Sequence, residues 1–231
     1  MKEILKAAGV DVSDEVCVRL EIYKSMLTEW NKVMDLTNVP EEEIPLRHFA
    51  DSLLPLSMGM VKSGSSLADV GTGAGFPGLP LAIADASLQV TLIDALQKRC
   101  DFLNAVREKL NLENVTVLHL RAEDAGKDKG LREKFDYAVA RAVAPLNVLE
   151  EYLLPLVKVG GEALCWKGPA VKDEMQAGET AAEILGGKLI GAVPVPGVGD
   201  GHCVARVKKT RHTAKEYPRK SGTPAKKPLG V

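Results

Sequence analysis

The run Asp69-Val70-Gly71-Thr72-Gly73-Ala74-Gly75 holds the residues of this sequence best suited to cradling a ligand. Glycines at alternating positions let a backbone turn sharply out of a strand and approach a bound group without Cβ clashes. Pro77 follows at the start of a helix, where its missing N–H costs nothing. A glycine-rich turn with no ligand is the plain alternative, but a strand before the loop and a helix after it point to a nucleotide. Gly73-x-Gly75-x-x-Gly78 also satisfies the dinucleotide fingerprint, so the glycines alone leave the ligand open. Asp69 narrows it. An acid at the C-terminal end of the strand can order the loop and face a cationic group, whereas beside a pyrophosphate it would repel. That favours S-adenosylmethionine, whose methionine end is cationic. Asp94 ends the next strand, 19 residues after Gly75, and can accept two bonds from ribose hydroxyls in either cofactor class.

Two further segments reach the same sheet edge. Arg121-Ala122-Glu123-Asp124 follows the third strand. A backbone N–H near Ala122 and the acid Glu123 suit an adenine edge, and a solvated charged loop is the alternative. The fourth strand delivers Ala140-Arg141-Ala142-Val143-Ala144-Pro145. It lacks the Asn/Asp-Pro-Pro-aromatic motif that methylation of an exocyclic amine favours, and no Pro-Cys thiolate for pyrimidine C5 chemistry occurs. That leaves an acceptor with its own lone pair, such as a purine ring nitrogen. Guanine N7 is unprotonated at neutral pH and needs no general base. Alignment alone can contribute up to roughly 7–11 kcal/mol. Arg141 can position guanine by forked bonds to O6 or hold the cofactor carboxylate. It can also be structural, paired with Glu123 or Asp69.

These residues need a scaffold, and the hydrophobic period supplies one. Ser13 reads as an N-cap, with Asp14 and Glu15 in the first turn. Val16, Leu20, Tyr23, Leu27 and Trp30 then form one apolar stripe. A second helix is expected from Glu41–Glu43, carrying Phe49, Leu53 and Leu56, with Pro55 kinking or ending it. From Ser66 short apolar strands alternate with helices: strands at 67–70, 90–94, 115–118, 137–140 and 162–166, then 188–193 and 202–207 separated by Pro194–Gly201. Alternation implies a mostly parallel seven-stranded sheet, and the helix-free last connection implies an antiparallel C-terminal hairpin. The expected fold is α/β, a Rossmann-like S-adenosylmethionine-dependent methyltransferase fold with an N-terminal helical extension. The expected divisions are residues 1–60 for the extension, 61–210 for the methyltransferase domain and 211–231 for a basic, flexible tail.

Composition agrees with a folded domain, at 45% hydrophobic and 26% charged residues over 231 positions. No apolar run is long enough to span a bilayer, and the N-terminus has no h-region. Four scattered cysteines and four histidines offer no metal spacing, so reduced thiols in a cytoplasmic protein without metal are expected. Charge is unevenly spread. From Arg206 onward there are nine Lys/Arg against one acid, Glu216, while the preceding residues carry 21 basic and 30 acidic side chains. Such a tail is a candidate polyanion contact or a solvated terminus.

Together, Asp69–Gly78 (DVGTGAGFPG), Arg47-His48-Phe49-Ala50-Asp51-Ser52-Leu53, Arg121-Ala122-Glu123 and Arg141-Ala142 resemble the small-subunit ribosomal RNA guanine-N7 methyltransferases, also called the glucose-inhibited division protein B family. The likeness runs from Trp30-Asn31-Lys32 to Tyr217-Pro218-Arg219-Lys220-Ser221-Gly222-Thr223-Pro224. It implies methylation of N7 of a guanine in the decoding region of 16S ribosomal RNA; the expected partner is that RNA or the small subunit, and a monomer is expected separately from the resemblance. It places cofactor contacts on Gly71, Phe76, Ala122, Glu123 and Arg141. The sequence departs from the family pattern at Asp35, where an asparagine is usual, and at Trp166, where an aliphatic residue is usual.

Asp69, Gly71, Gly73, Gly75, Phe76, Asp94, Ala122, Glu123 and Arg141 are thus the expected cofactor set, with Arg141 also the expected catalytic residue. Arg47, His48, Lys167, Arg219 and Lys220 are the expected RNA contacts. Arg47 and His48 can face substrate, or form an Arg–Asp pair with a packed imidazole. Lys167 can reach a phosphate or cap the sheet edge. A small-molecule or protein methyltransferase, and a nucleotide-binding module without chemistry, remain the competing readings.

Overall fold

In the computed structural model of the protein, residues 1–141, 144–199 and 201–231 are described. Ala142 and Val143, expected just after the fourth strand, and Asp200, within Pro194–Gly201, lie outside the described residues. Among the described residues seven strands form one sheet: β1 (Ser66–Val70), β2 (Gln89–Asp94), β3 (Val115–His119), β4 (Phe135–Arg141), β5 (Val157–Lys167), β6 (Gly187–Pro194) and β7 (Cys203–Lys209). Their order is β3-β2-β1-β4-β5-β7-β6. β1 to β5 pair in parallel, and β7 pairs antiparallel with both β5 and β6. Only β7 is therefore reversed. Its N-terminal end lies at the edge where the parallel strands finish, opposite Lys167 in register. This places the start of β7 at the edge where α/β folds bind ligands.

Both sheet faces are covered, which is why the central strands read as continuous apolar runs. On one face α2 (Asp14–Asn31) buries Leu20, Tyr23 and Leu27 in the cluster that holds Leu79, Leu92, Phe102 and Val106. The N-terminal helices thus share the core of the sheet. Ser13 Oγ caps α2 by accepting from the Val16 amide at 3.2 Å. α4 (Gly78–Ala84) and α5 (Gln97–Lys109) complete this layer. On the other face α7 (Leu146–Leu153) and α8 (Val171–Leu185) pack on Ala138, Ala140, Ala163 and Cys165. Short helices α1 (Lys2–Ala7), α6 (Ala122–Ala125) and α9 (Thr223–Lys226) carried no clear periodic signal.

The helix expected from Glu41 is a composite. A 3-10 turn over Glu41–Glu43 leads to a π-helical turn over Pro45–Ala50 and then to α3 (Asp51–Ser57). Pro55 does not end it. A proline inside a helix has no N–H for the carbonyl four residues back. Here that carbonyl is Asp51, and the indole Nε1 of Trp166 donates to it at 2.9 Å. The departure from the family pattern at Trp166 thus satisfies a group that Pro55 leaves open.

The tail is not a free arm. Arg132 donates to the carbonyls of Thr213, Ala214 and Tyr217. Arg219 forks onto Glu151, which is fully buried on α7. The Asn147 side-chain amide donates to the Leu229 carbonyl at 2.6 Å, and Pro224 is buried. A sequence count sees these arginines as solvated cations. A buried carboxylate such as Glu151 demands a partner, and Arg219 supplies it.

Candidate active site

β1 ends in a loop whose geometry rests on two carboxylates. Asp69 is fully buried, and its Oδ2 accepts from the Thr72 hydroxyl at 2.7 Å and the Gly78 amide at 2.8 Å. It orders the loop from behind and does not line the cofactor cavity. Its Oδ1 is buried with no hydrogen-bond partner among the described residues. Burial pushes its carboxyl up to about 6, against the pull of the two bonds and of nearby Arg141. Asp94, at the end of β2, accepts from the Gly73 amide at 2.9 Å and the Leu96 amide at 2.9 Å. Each of its oxygens keeps a lone pair for a ribose hydroxyl. Arg99 stands 3.6 Å from Asp94 Oδ2.

The N-terminal helices hold the loop from the third side. The Tyr23 hydroxyl donates to the Ala74 carbonyl. Its ring stacks on Phe76 with centroids 5.4 Å apart and lies 5.5 Å from Phe49. Gly75 has φ of 105°, and a Cβ there would meet the Tyr23 hydroxyl at 2.8 Å, so position 75 accepts only glycine. Tyr23 was read from sequence only as one position of an apolar stripe. The available signal was chemical: a buried tyrosine hydroxyl needs a partner.

Gly71, Gly73, Phe76 and Asp94 line a cavity of about 490 Å³ with Leu96 and Arg99. The volume falls in the range of cofactor sites. The lining suits S-adenosylmethionine. It offers a carboxylate for the ribose, an exposed Leu96 side chain for an apolar ring and open space before Gly73. Ala122 and Glu123 are not in this lining. They begin α6, where Glu123 is buried and its Oε1 accepts from the tail amide of Gly222 at 2.8 Å. Glu123 therefore ties the tail to the loop after β3.

A second cavity of about 390 Å³ adjoins the first, and both are lined by His48 and Arg141. These two side chains form the wall between them. Arg141, at the end of β4, is paired with neither Glu123 nor Asp69. Its Nη1 donates to Asp51 Oδ2 at 2.9 Å and its Nη2 to His48 Nδ1 at 2.9 Å. Its guanidinium carbon sits 4.7 Å from the Phe76 ring centroid, and His48 stacks on the same ring at 4.3 Å. An arginine only donates, so His48 Nδ1 must accept and the ring proton lies on Nε2, facing Thr37 Oγ1 at 2.7 Å. Burial and the adjacent Arg141 charge hold His48 down to about 3. The imidazole is neutral at physiological pH and serves as an acceptor.

Other expected contacts are differently employed. Arg47 lines the second cavity and pairs with Glu43 at 2.8 Å, not with Asp51. Lys167 lines it too, but its ammonium is tied to Glu174 at 2.7 Å and the Ala144 carbonyl at 3.1 Å. Arg219 is committed to Glu151, while Lys220 is exposed. Trp166, whose departure from the family pattern points to a reshaped pocket wall, does line the cavity, and so does His202, which nothing in the sequence singles out.

The sheet order, with a glycine loop after β1 and a carboxylate ending β2, defines a Rossmann-like S-adenosylmethionine-dependent methyltransferase. Solved structures of that fold superpose on it. One is an S-adenosylmethionine-dependent methyltransferase from Aquifex aeolicus, with TM-score 0.55 and 20% identity, covering 78% of this chain and 96% of that one. Another is a 16S rRNA (adenine(1408)-N(1))-methyltransferase from Catenulisporales acidiphilia, with TM-score 0.53 and 17% identity, covering 66% and 88%. Residues 16–195 match the GidB family, described as rRNA small subunit methyltransferase G. Proteins named ribosomal RNA small subunit methyltransferase G align over almost the whole chain. The relative from Alkaliphilus metalliredigens (strain QYMF) is 44% identical over 232 residues, covering 99% of this chain and 97% of its own. That from Clostridium botulinum (strain Eklund 17B / Type B) is 46% identical over 224 residues, covering 96% and 94%. The chain belongs to the rRNA small subunit methyltransferase G family.

Proposed function

We propose that the protein transfers the methyl group of S-adenosylmethionine to N7 of a guanine in 16S ribosomal RNA, acting in the cytoplasm as a monomer on the RNA or the small subunit. The observation that carries this reading is the pair of adjoining cavities with one wall, His48 and Arg141. Bound S-adenosylmethionine supplies a methyl group on a positively charged sulfur. The chain's own part is to hold the acceptor in line and keep water away. At the boundary between the two cavities no side chain is free to act as a base: burial holds His48 down to about 3, and Asp51 is engaged by Arg141. An acceptor with a free lone pair, such as guanine N7, needs none. Arg141 uses three of its five donors on Asp51, His48 and, at 3.4 Å, the Arg47 carbonyl, and the other two remain for guanine O6. Exposed Lys215, Lys220, Lys226 and Lys227 on the anchored tail supply phosphate contacts. The test is to incubate the protein with labelled S-adenosylmethionine and small-subunit RNA, then cleave with borohydride and aniline. Label on guanine N7 is expected, and label on any other atom overturns the reading.

A further inference from the structure

The cavity on the acceptor side has a wall that the cofactor side does not share. His202 immediately precedes β7, the reversed strand, and this brings it to the sheet edge where ligands sit. The Val195 amide donates to the His202 carbonyl at 2.9 Å, closing the base of the β6–β7 hairpin and fixing the residue. Its imidazole lines the same cavity as His48 and Arg141, and 42% of the side chain is exposed. Nδ1 lies 3.3 Å from Asp51 Oδ1. Asp51 is 2% exposed, and its other oxygen holds Arg141 at 2.9 Å. One buried carboxylate therefore orients two side chains, an arginine shared with the cofactor cavity and a histidine found only on the acceptor side. Whatever charge the ring carries, the carboxylate takes the Nδ1 hydrogen, and Nε2 is left for a ligand.

We propose that His202 is an acceptor-binding residue: held by Asp51 at Nδ1, it offers Nε2 to a hydrogen-bonding group of the guanine nucleotide to be methylated. The proposal rests on the functional reading above. Trp166, which lines the same cavity and binds the Asp51 carbonyl, fixes the floor beneath that carboxylate. His202 lines the acceptor cavity and not the cofactor cavity, so the loss of its imidazole is read first at the acceptor.

Two measurements test it. In steady-state methylation of small-subunit RNA, His202→Ala should raise KM for RNA by about fivefold or more, the size of one lost hydrogen bond. KM for S-adenosylmethionine and the melting temperature should not move. His202→Asn should recover most of the loss, because its amide can still donate to Asp51 and accept from a ligand. An unchanged KM for RNA, or a change confined to the cofactor, overturns the proposal. In calorimetric titrations of protein saturated with S-adenosylhomocysteine, GMP should bind more tightly to the wild type than to His202→Ala. Guanosine in place of GMP separates a base contact from a phosphate contact. Equal affinity for the two proteins, or no binding by either at millimolar GMP, overturns the assignment. A wild-type protein that binds GMP yet fails to label guanine N7 in RNA would instead defeat the functional reading.

Discussion

Arg141 at the end of β4 and Asp51 at the start of α3 meet at 2.9 Å across 90 residues of sequence, with side chains 14% and 3% exposed. The pair locks the N-terminal helices onto the catalytic edge of the sheet. Breaking a buried pair from one side leaves a charge uncompensated and costs about 3–5 kcal/mol. Arg141→Ala should lower the melting temperature and cut turnover about a hundredfold, as expected when reacting groups lose alignment. Arg141→Lys should recover stability better than activity. One ammonium cannot hold Asp51, His48 and the Phe76 face together. Thermal melts alongside single-turnover rates decide it. A lysine variant with wild-type turnover would remove the catalytic assignment.

Tyr23 reaches the cofactor loop from α2, donating its hydroxyl to the Ala74 carbonyl while stacking on Phe76. Tyr23→Phe keeps the ring and deletes only the donor. Loss of one such bond is worth about 1 kcal/mol. The dissociation constant for S-adenosylmethionine should rise about fivefold, with KM for RNA unchanged. Equilibrium binding of the cofactor is the measurement. An unaltered constant would mean that the loop is held without the latch.

The sheet and its seven strands were legible because period, punctuation and glycine placement all act locally. The cofactor loop was legible for the same reason. Partners were not. Sequence pairs Arg47 with Asp51 by helical spacing, yet the π-helical turn over Pro45–Ala50 changes the phase, and Arg47 takes Glu43 while Asp51 takes Arg141. Glu123 suits an adenine edge by type, but its oxygen is turned to Gly222 of the tail. Trp166 stands beside Arg141 in the register of β4 with β5, and His202 enters the site only because β7 inserts between β5 and β6. No local pattern reports that insertion.

Asp69 gives the cofactor step a pH dependence. Its carboxyl is raised from 3.8 to about 6 by burial, so the folded, ligand-free protein takes up a proton that the unfolded chain releases. Stability from this group is present below about 4 and lost as pH rises through about 6. A positively charged cofactor nearby favours the ionised form. Affinity for S-adenosylmethionine should therefore increase as pH rises through about 6. Asp69→Asn keeps an acceptor for Thr72 and Gly78, and should weaken binding while flattening the pH profile. Calorimetric titrations across this range provide the check. A profile equally steep in the variant would place the titration elsewhere.

Glu150 on α7 is fully buried, with no partner of hydrogen-bonding geometry among the described residues, and burial raises it to about 9. It is a neutral acid at physiological pH, and the folded protein is penalised as pH rises from 4.5 toward 9. Glu150→Gln removes the titration without changing the shape. The variant should be more stable by roughly 2–3 kcal/mol at neutral pH, with the gain vanishing near the ordinary glutamate range. Denaturant melts at acid and neutral pH measure it. A pH-independent difference would show that Glu150 is ionised in the fold.

Arg219 and Lys220 are adjacent in the tail and should behave oppositely. Arg219 forks onto Glu151, which is fully buried, whereas Lys220 is exposed. Arg219→Ala strands that carboxylate and should destabilise the protein by about 3 kcal/mol. Lys220→Ala should leave the melting temperature unchanged, weaken RNA binding and reduce the salt slope of the affinity by about one. Deleting residues 211–231 is then no clean test of RNA binding, because it also removes the partners of Glu151, Glu123 and Arg132. Thermal melts and salt-dependent RNA titrations on the two point variants separate the roles. If Lys220→Ala left the salt slope intact, the exposed face of the tail would not be the RNA surface.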